Sequence, residues 1–195
     1  ADGIVIADND LGLGAAESSV LLSFTDGADV TLRHIRASNN HADNLVVADS
    51  AAVDIGNSIF WGSTYGPIAF TFTAFGYPQS VHNTVIHDVV GDGYYVVYGD
   101  VTFTNNIVTQ TRSQFAPVGI ANAYNAYFGN AGGDVIEGEG NLAEDPLFLD
   151  VEGESFYLSE GSPCIDAGAP EETWNDGDGT RGDIGAYGGP EGSGW

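Results

Sequence analysis

Three carboxylates crowd one glycine-rich stretch of the chain: Asp176, Asp178 and Asp183, with Asn175 and Thr180 beside them. Oxygen donors on such a loop suit a hard cation such as Ca2+. The spacing departs from the twelve-residue calcium loop, which needs a glycine at its sixth position and a glutamate at its twelfth. A solvated Asp-Gly turn would use the same residues. Glycoside hydrolysis asks for something different, two carboxylates about 5–9.5 Å apart. Asp88 and Asp92, near Tyr94 and Tyr95, are candidates for such a pair, with Asp43, Asp49 and Asp54 as further acids. None of them sits in a recognisable hydrolase motif. The stretch from Trp61 to Gln79 is rich in aromatics and carries Trp61, Tyr65, Phe75 and Tyr77. Such rings stack on sugars, and they equally pack a long loop onto a core. His34, His41, His82 and His87 are scattered, and the spacing of His82 and His87 along a strand puts them on opposite faces. No set of converging imidazoles points to a transition metal.

These side chains need a scaffold, and composition limits which one. The chain has 195 residues and 43% hydrophobic content, enough for one domain with a sizeable core. Acids outnumber bases 28 to 4, for a formal net charge of −24. That field repels nucleic acid and anionic membrane surfaces and attracts cations. No apolar run is long enough to cross a bilayer. The bases are Arg33, Arg36, Arg112 and Arg181, with no lysine. The 28 glycines follow no tripeptide period, which excludes collagen and suits many short strands. Cys164 is alone, so no internal disulfide forms, and its neighbours Pro163 and Ile165 predict a buried thiol. The start at Ala1-Asp2 fits either a chain trimmed on export or a fragment of a longer one.

Helical signals are nearly absent. Only Leu11 to Leu22 has a suitable Ala/Leu/Glu content, and its glycines and serines weaken it. An internal repeat sets the fold instead. Alternating apolar residues lead to an asparagine, one further residue, and two apolar residues. The copies end at Asn57-Ser-Ile-Phe, Asn83-Thr-Val-Ile, Asn105-Asn-Ile-Val and Asn125-Ala-Tyr-Phe, with spacings of 26, 22 and 20. Val30 to His34 is an earlier, degenerate copy, 23 residues before Asn57. This period predicts an all-β, right-handed, single-stranded parallel β-helix. Asn57, Asn83, Asn105 and Asn125 are expected at one corner, in left-handed conformation, as an amide ladder between coils. Second strands are predicted at Leu45–Val47, Ile68–Phe72 and Tyr94–Tyr98.

From Gly140 the texture changes. Asp145-Pro-Leu-Phe148 precedes a strand-like Ser155 to Ser159, then Gly161-Ser-Pro-Cys-Ile-Asp-Ala-Gly168, then Asp178-Gly-Thr-Arg-Gly-Asp-Ile-Gly-Ala-Tyr187. This order resembles the C-terminal ending of bacterial and archaeal surface proteins with β-helix repeats, of the pectate-lyase-like superfamily. Gly188 departs from that pattern, which carries an acid after the tyrosine. The resemblance implies the fold and an exported location. Members vary in activity; lyases of that type use calcium and an Arg or Lys base, for which Arg112 is the candidate here. The expected organisation is coils over 1–139, with 1–29 as an edge that is truncated or pairs with a partner. A final coil and cap follow over 140–187, then a flexible tail over 188–195. Asp166, Arg181 and Asp183 are expected to form a salt-bridged clasp closing the last coil. The functional expectation is a non-catalytic structural or adhesive module that self-associates end to end. The alternative is a carbohydrate-binding module, lyase or glycosidase with a glycan ligand.

Overall fold

The computed structural model describes residues 3–7, 20–42, 44–65, 70–72, 76–89, 95–96, 101–111, 120–134 and 136–194. Its first strands are β1 (Val5–Ala7), β2 (Val20–Phe24), β3 (Asp29–Arg33), β4 (Arg36–Ser38), β5 (His41–Ala42) and β6 (Asn44–Ala48). Next come β7 (Ala52–Trp61), β8 (Thr64–Tyr65), β9 (Phe70–Phe72), β10 (Gln79–His87), β11 (Tyr95–Val96) and β12 (Val101–Thr104). The chain ends with β13 (Ile107–Thr109), β14 (Ala121–Ala123), β15 (Ala126–Phe128), β16 (Phe148–Asp150) and β17 (Ser155–Leu158). Residues 20–24, where the weak helical composition ended, are strand.

These strands stack as a parallel β-solenoid. One sheet orders β11-β9-β6-β2, using the predicted second strands. The long sheet bends at a corner inside β7 and β10. Its leading half holds β3, residues 52–56 of β7, residues 79–82 of β10, β12 and β14. Its trailing half holds β1, β4, residues 58–61 of β7, residues 84–87 of β10, β13 and β15. The β16–β17 pair is an antiparallel hairpin outside the stack.

The register lines up His34, Asn57, Asn83, Asn105 and Tyr124 at the corner, and each is left-handed, with φ between 43° and 59°. Asparagine tolerates that region better than most residues. The amide ladder does not run through this column. It runs one residue later, at the first inward position of the trailing half. There the Thr84 amide donates to Asn106 Oδ1 (3.0 Å), the Asn106 amide to Asn125 Oδ1 (2.8 Å), and the Asn125 amide to Asn141 Oδ1 (2.9 Å). Asn106 and Asn125 also donate to the Val81 and Phe103 carbonyls, at 2.9 and 2.8 Å. Only Asn125 of the four expected asparagines is a rung of it. Tyr124 takes the left-handed place in that coil.

The two halves of the long sheet differ on their outer sides. In the leading half, Val53, Ile55, Val81, Val101 and Phe103 point into the solenoid core, and the residues between them point out. In the trailing half, Phe60, Ile86, Val108 and Tyr127 point in, while Ile59, Val85, Ile107 and Ala126 point out and are also fully buried. Two adjacent apolar residues on a strand mean two buried faces. The second face is covered by the C-terminal segment: Phe156, Cys164, Ile184 and Ala186 pack on the outer row. Each isoleucine, valine or phenylalanine so buried contributes about 1.5–3 kcal/mol.

The C-terminal segment therefore does more than close one end. It first continues the stack, with Leu142 bridged to Ala126 and Asn141 ending the ladder. It then leaves the end and runs back along the corner column. The Ala169 amide donates to Asn105 Oδ1 (2.7 Å), Asn83 Nδ2 to the Asp183 carbonyl (3.3 Å), and Asn57 Nδ2 to the Ala186 and Gly188 carbonyls (3.0 and 2.8 Å). His34 Nε2 lies 3.0 Å from the Glu191 carbonyl, and Arg33 pairs with the Glu191 carboxylate. The expected flexible tail is thus anchored through Glu191 and ends in a 3-10 turn at Gly192–Gly194. The asparagines of the left-handed column hold this segment, in place of bonding to each other.

Candidate functional site

Covering the trailing half leaves the outer side of the leading half open, with a wall beside it. Strand alternation fixes what faces out there. The outward rows are Asp54, Ser80 and Thr102, then Gly56, His82 and Thr104, in register across β7, β10 and β12. The wall is the C-terminal segment at Glu171 and Trp174, with Tyr124 and Glu139 at its end. Floor and wall enclose a groove of about 530 Å3, within the size range of small-ligand clefts, roughly 300–1,000 Å3.

Asp54 anchors the floor. Its Oδ2 receives Arg33 Nη2 at 2.5 Å, and its Oδ1 receives the Ser80 hydroxyl and lies 3.2 Å from His82 Nε2. Burial alone would push this carboxyl up; the hydrogen bonds from His82, Ser80 and Arg33 outweigh it and hold the group well below the usual carboxylate range. His82 fits because residue 56 is glycine: a Cβ there would stand 2.4 Å from the imidazole. Trp174 meets the other side of His82, with ring centroids 5.2 Å apart and planes at 61°. At the end of the wall, the Tyr124 hydroxyl donates to Glu139 Oε1 at 2.8 Å, and the Arg181 guanidinium lies 5.7 Å from the Tyr124 ring centroid.

The other candidates fall elsewhere. Asp88 is a left-handed residue (φ 46°) at the next corner, its amide donating to the Thr109 carbonyl at 3.0 Å. Asp92, Arg112, Phe75 and Asp43 lie outside the described residues, as does the side chain of Tyr65. Trp61 presents no stacking surface: it is buried against Phe156, at 5.8 Å between ring centroids, with the Arg36 guanidinium 5.0 Å over its ring. Tyr77 is partly buried, its hydroxyl 3.8 Å from where a Cβ on Gly27 would stand.

The C-terminal clasp forms without carboxylate–arginine pairs among the described residues. Arg181 donates to the Gly168 and Ala167 carbonyls at 2.6 and 3.3 Å. Asp183 Oδ1 accepts the Asp166 amide at 2.8 Å. Asp176 Oδ1 accepts the Gly189 amide at 2.5 Å, and both its oxygens face the Asp183 amide at 3.2–3.3 Å. Asp178 Oδ1 accepts the Thr180 amide and hydroxyl, at 2.9 and 2.7 Å. The three acids of the calcium candidate thus each cap backbone of their own segment. Among the described residues no group of three or more acids, histidines or cysteines converges on a metal position. Burial first, with the neighbouring Asp183 charge, pushes Asp176 up to about 6.

The sequence reading missed Trp174, Glu139, Glu171 and the threonine row. The signal was in the repeat itself. The positions one and three before each corner residue are the outward ones, and they read Asp54/Gly56, Ser80/His82 and Thr102/Thr104. The wall carries no local signal, since it depends on where the C-terminal segment docks. No protein-family model, curated protein or solved structure matches the chain.

Proposed function

We propose that the chain is a non-catalytic adhesive module of an exported, cell-surface or extracellular protein, and that it holds a glycan in the groove outside the leading half-sheet. One observation carries the reading. The groove joins an indole, Trp174, to a floor of threonine hydroxyls and imidazole, while its floor carboxylate, Asp54, is engaged by three side-chain donors. Aromatic rings beside ordered polar groups suit the two-sided surface of a sugar ring. A carboxylate held ionised by Arg33, Ser80 and His82 is a poor general acid, which must carry a proton near working pH. On this reading it positions groups in the groove.

Calorimetry against defined oligosaccharides tests this reading. Binding that is lost in Trp174→Ala, with the fold intact by circular dichroism, is the expected result. The enzyme alternative, a lyase or glycosidase of the pectate-lyase-like type, is tested on the same ligands: release of reducing ends or of unsaturated product would replace adhesion by cleavage.

A second reading, end-to-end self-association, has its own observation. Strand β1 pairs with β4 on one side, and Val5 is 72% exposed on it. An exposed apolar side chain on a strand is a candidate contact with another chain. Electron microscopy with and without calcium tests it: filaments that disappear in Val5→Lys support it, and dispersed particles under both conditions oppose it.

A further inference from the structure

We infer that the groove selects glycans bearing free amino groups, an inference that rests on the glycan reading above. The charges lining the groove are unequal. Asp54, Glu139 and Glu171 contribute carboxylates, and the two nearby arginines are turned to other work. Arg33 bonds Asp54, Glu191 and the carbonyls of Leu32 and Asp54 (3.0 and 3.1 Å). Arg181 lies over Tyr124 and donates to the carbonyls of Gly168 and Ala167. Arg33 is shared between Asp54 and Glu191, and Arg181, 5.7 Å from the Tyr124 ring centroid, sets one positive charge against Glu139 and Glu171 without a described ion pair to either, so the lining keeps a net negative charge.

Both acids line the groove with Tyr124, and Glu139 accepts its hydroxyl hydrogen bond. Both raise the pKa of the Tyr124 hydroxyl, Glu139 first through its hydrogen bond and Glu171 through its charge. Both are exposed, and both stand on the wall that carries Trp174. A pyranose laid against the indole would bring its substituents to these carboxylates and its hydroxyls to Thr102 and Thr104. An ammonium substituent gains charge-assisted hydrogen bonds there. An N-acetyl group gains none of that charge, and a uronate meets two like charges on a surface of net charge −24. The indole and the threonine row favour a sugar ring over a basic peptide, which would need only the carboxylates.

The test is calorimetry at low salt with four probes: the glucosamine trimer, its fully N-acetylated form, trigalacturonate and trilysine. The expected order is glucosamine trimer first, the N-acetylated form roughly tenfold weaker, as loss of a charge-assisted bond implies, and no binding of trigalacturonate. The double variant Glu139→Gln/Glu171→Gln should weaken the glucosamine trimer to the level of the N-acetylated one. Trp174→Ala should weaken both sugars. Equal binding of the two sugars overturns the amino-group selection and leaves the glycan reading standing. Trilysine bound as tightly as the glucosamine trimer, and indifferent to Trp174→Ala, overturns it in favour of a basic peptide. No binding of any sugar overturns both readings.

Discussion

Strands β7 and β10 each pass through two environments within a few residues. Before the corner they alternate, apolar inward and polar outward, and their outer side floors a groove. After the corner they carry apolar residues in succession, and their outer side is sealed by Cys164, Ile184 and Ala186. The backbone geometry is the same on both sides, and the register is unbroken. Side-chain pattern alone separates an open surface from a packed one. The same C-terminal segment serves both: it buries one half and walls the other.

This contrast predicts unequal costs for similar changes. Ile107→Ala, in the sealed outer row, should destabilise by about 2–5 kcal/mol, as buried aliphatic truncations do. Thr102→Ala, in the open outer row of the neighbouring strand, should stay within about 0.5 kcal/mol. Urea unfolding of both variants measures the gap. Equal costs would mean that the cover is loosely held. Asn125→Ala, between the halves, should cost about 1–3 kcal/mol, because it strands the buried Asn106 amide and the Phe103 carbonyl.

Two glycines sharpen the comparison by effect type. Gly185 has φ 111°, and a Cβ on it would stand 2.7 Å from Ile107 Cδ1. Gly185→Ala should therefore cost about 1–3 kcal/mol of stability, from backbone strain in the cover. At Gly56 the three nearest atoms that a Cβ would meet all belong to the His82 ring, a side chain rather than backbone. The stability loss of Gly56→Ala should be small, and, on the glycan reading proposed above, its loss of glycan affinity large, because His82 leaves Asp54. Thermal melts and calorimetry on the two variants separate these outcomes. A Gly56→Ala protein that binds normally would remove His82 from the account of the groove.

The smallest effect is a pH dependence. Asp176, in the cover, has its pKa raised from 3.8 to about 6, mainly by burial. A carboxyl with a raised folded pKa contributes stability that is fully present below about pH 4 and lost as pH rises through about 6. Asp176→Asn, which keeps the acceptor oxygen without the charge, should gain on the wild type at pH 7.5 relative to pH 4.5. Urea midpoints at the two pH values measure it. A relative loss at pH 7.5 would mean that the charge on Asp176 stabilises the backbone turns it caps.

The solenoid was legible because each coil repeats one physical demand. Val53, Ile55, Val81, Val101 and Phe103 must alternate to fill the core, and a left-handed corner must follow, so the spacing of Asn57, Asn83 and Asn105 marks one coil. His34 was legible as a degenerate copy for the same reason, and it is the left-handed residue of its coil. The last copy slipped by one. Asn105 and Asn106 are adjacent, so Asn125 could be matched to either, and it pairs with Asn106. A one-residue shift exchanges inward and outward side chains. That left Ala126 unread as an outer-row residue and Tyr124 unread as the corner. The groove wall was not legible at all. Trp174 and Glu171 reach Asp54 and His82 only because Ala169, Asp183, Ala186 and Glu191 dock along the corner, and these contacts span 64 residues of sequence or more.

The most direct test of the sealed half uses the chain's one cysteine. Cys164 is fully buried in the cover, and burial pushes its thiol up to about 12. In the native protein it should react with a thiol reagent only as fast as the molecule opens. A Thr102→Cys thiol, placed in the open half of a Cys164→Ser background, should react at once. Prompt labelling of Cys164, at the rate of the Thr102→Cys thiol, would contradict a C-terminal segment packed on the outer face of the trailing half-sheet.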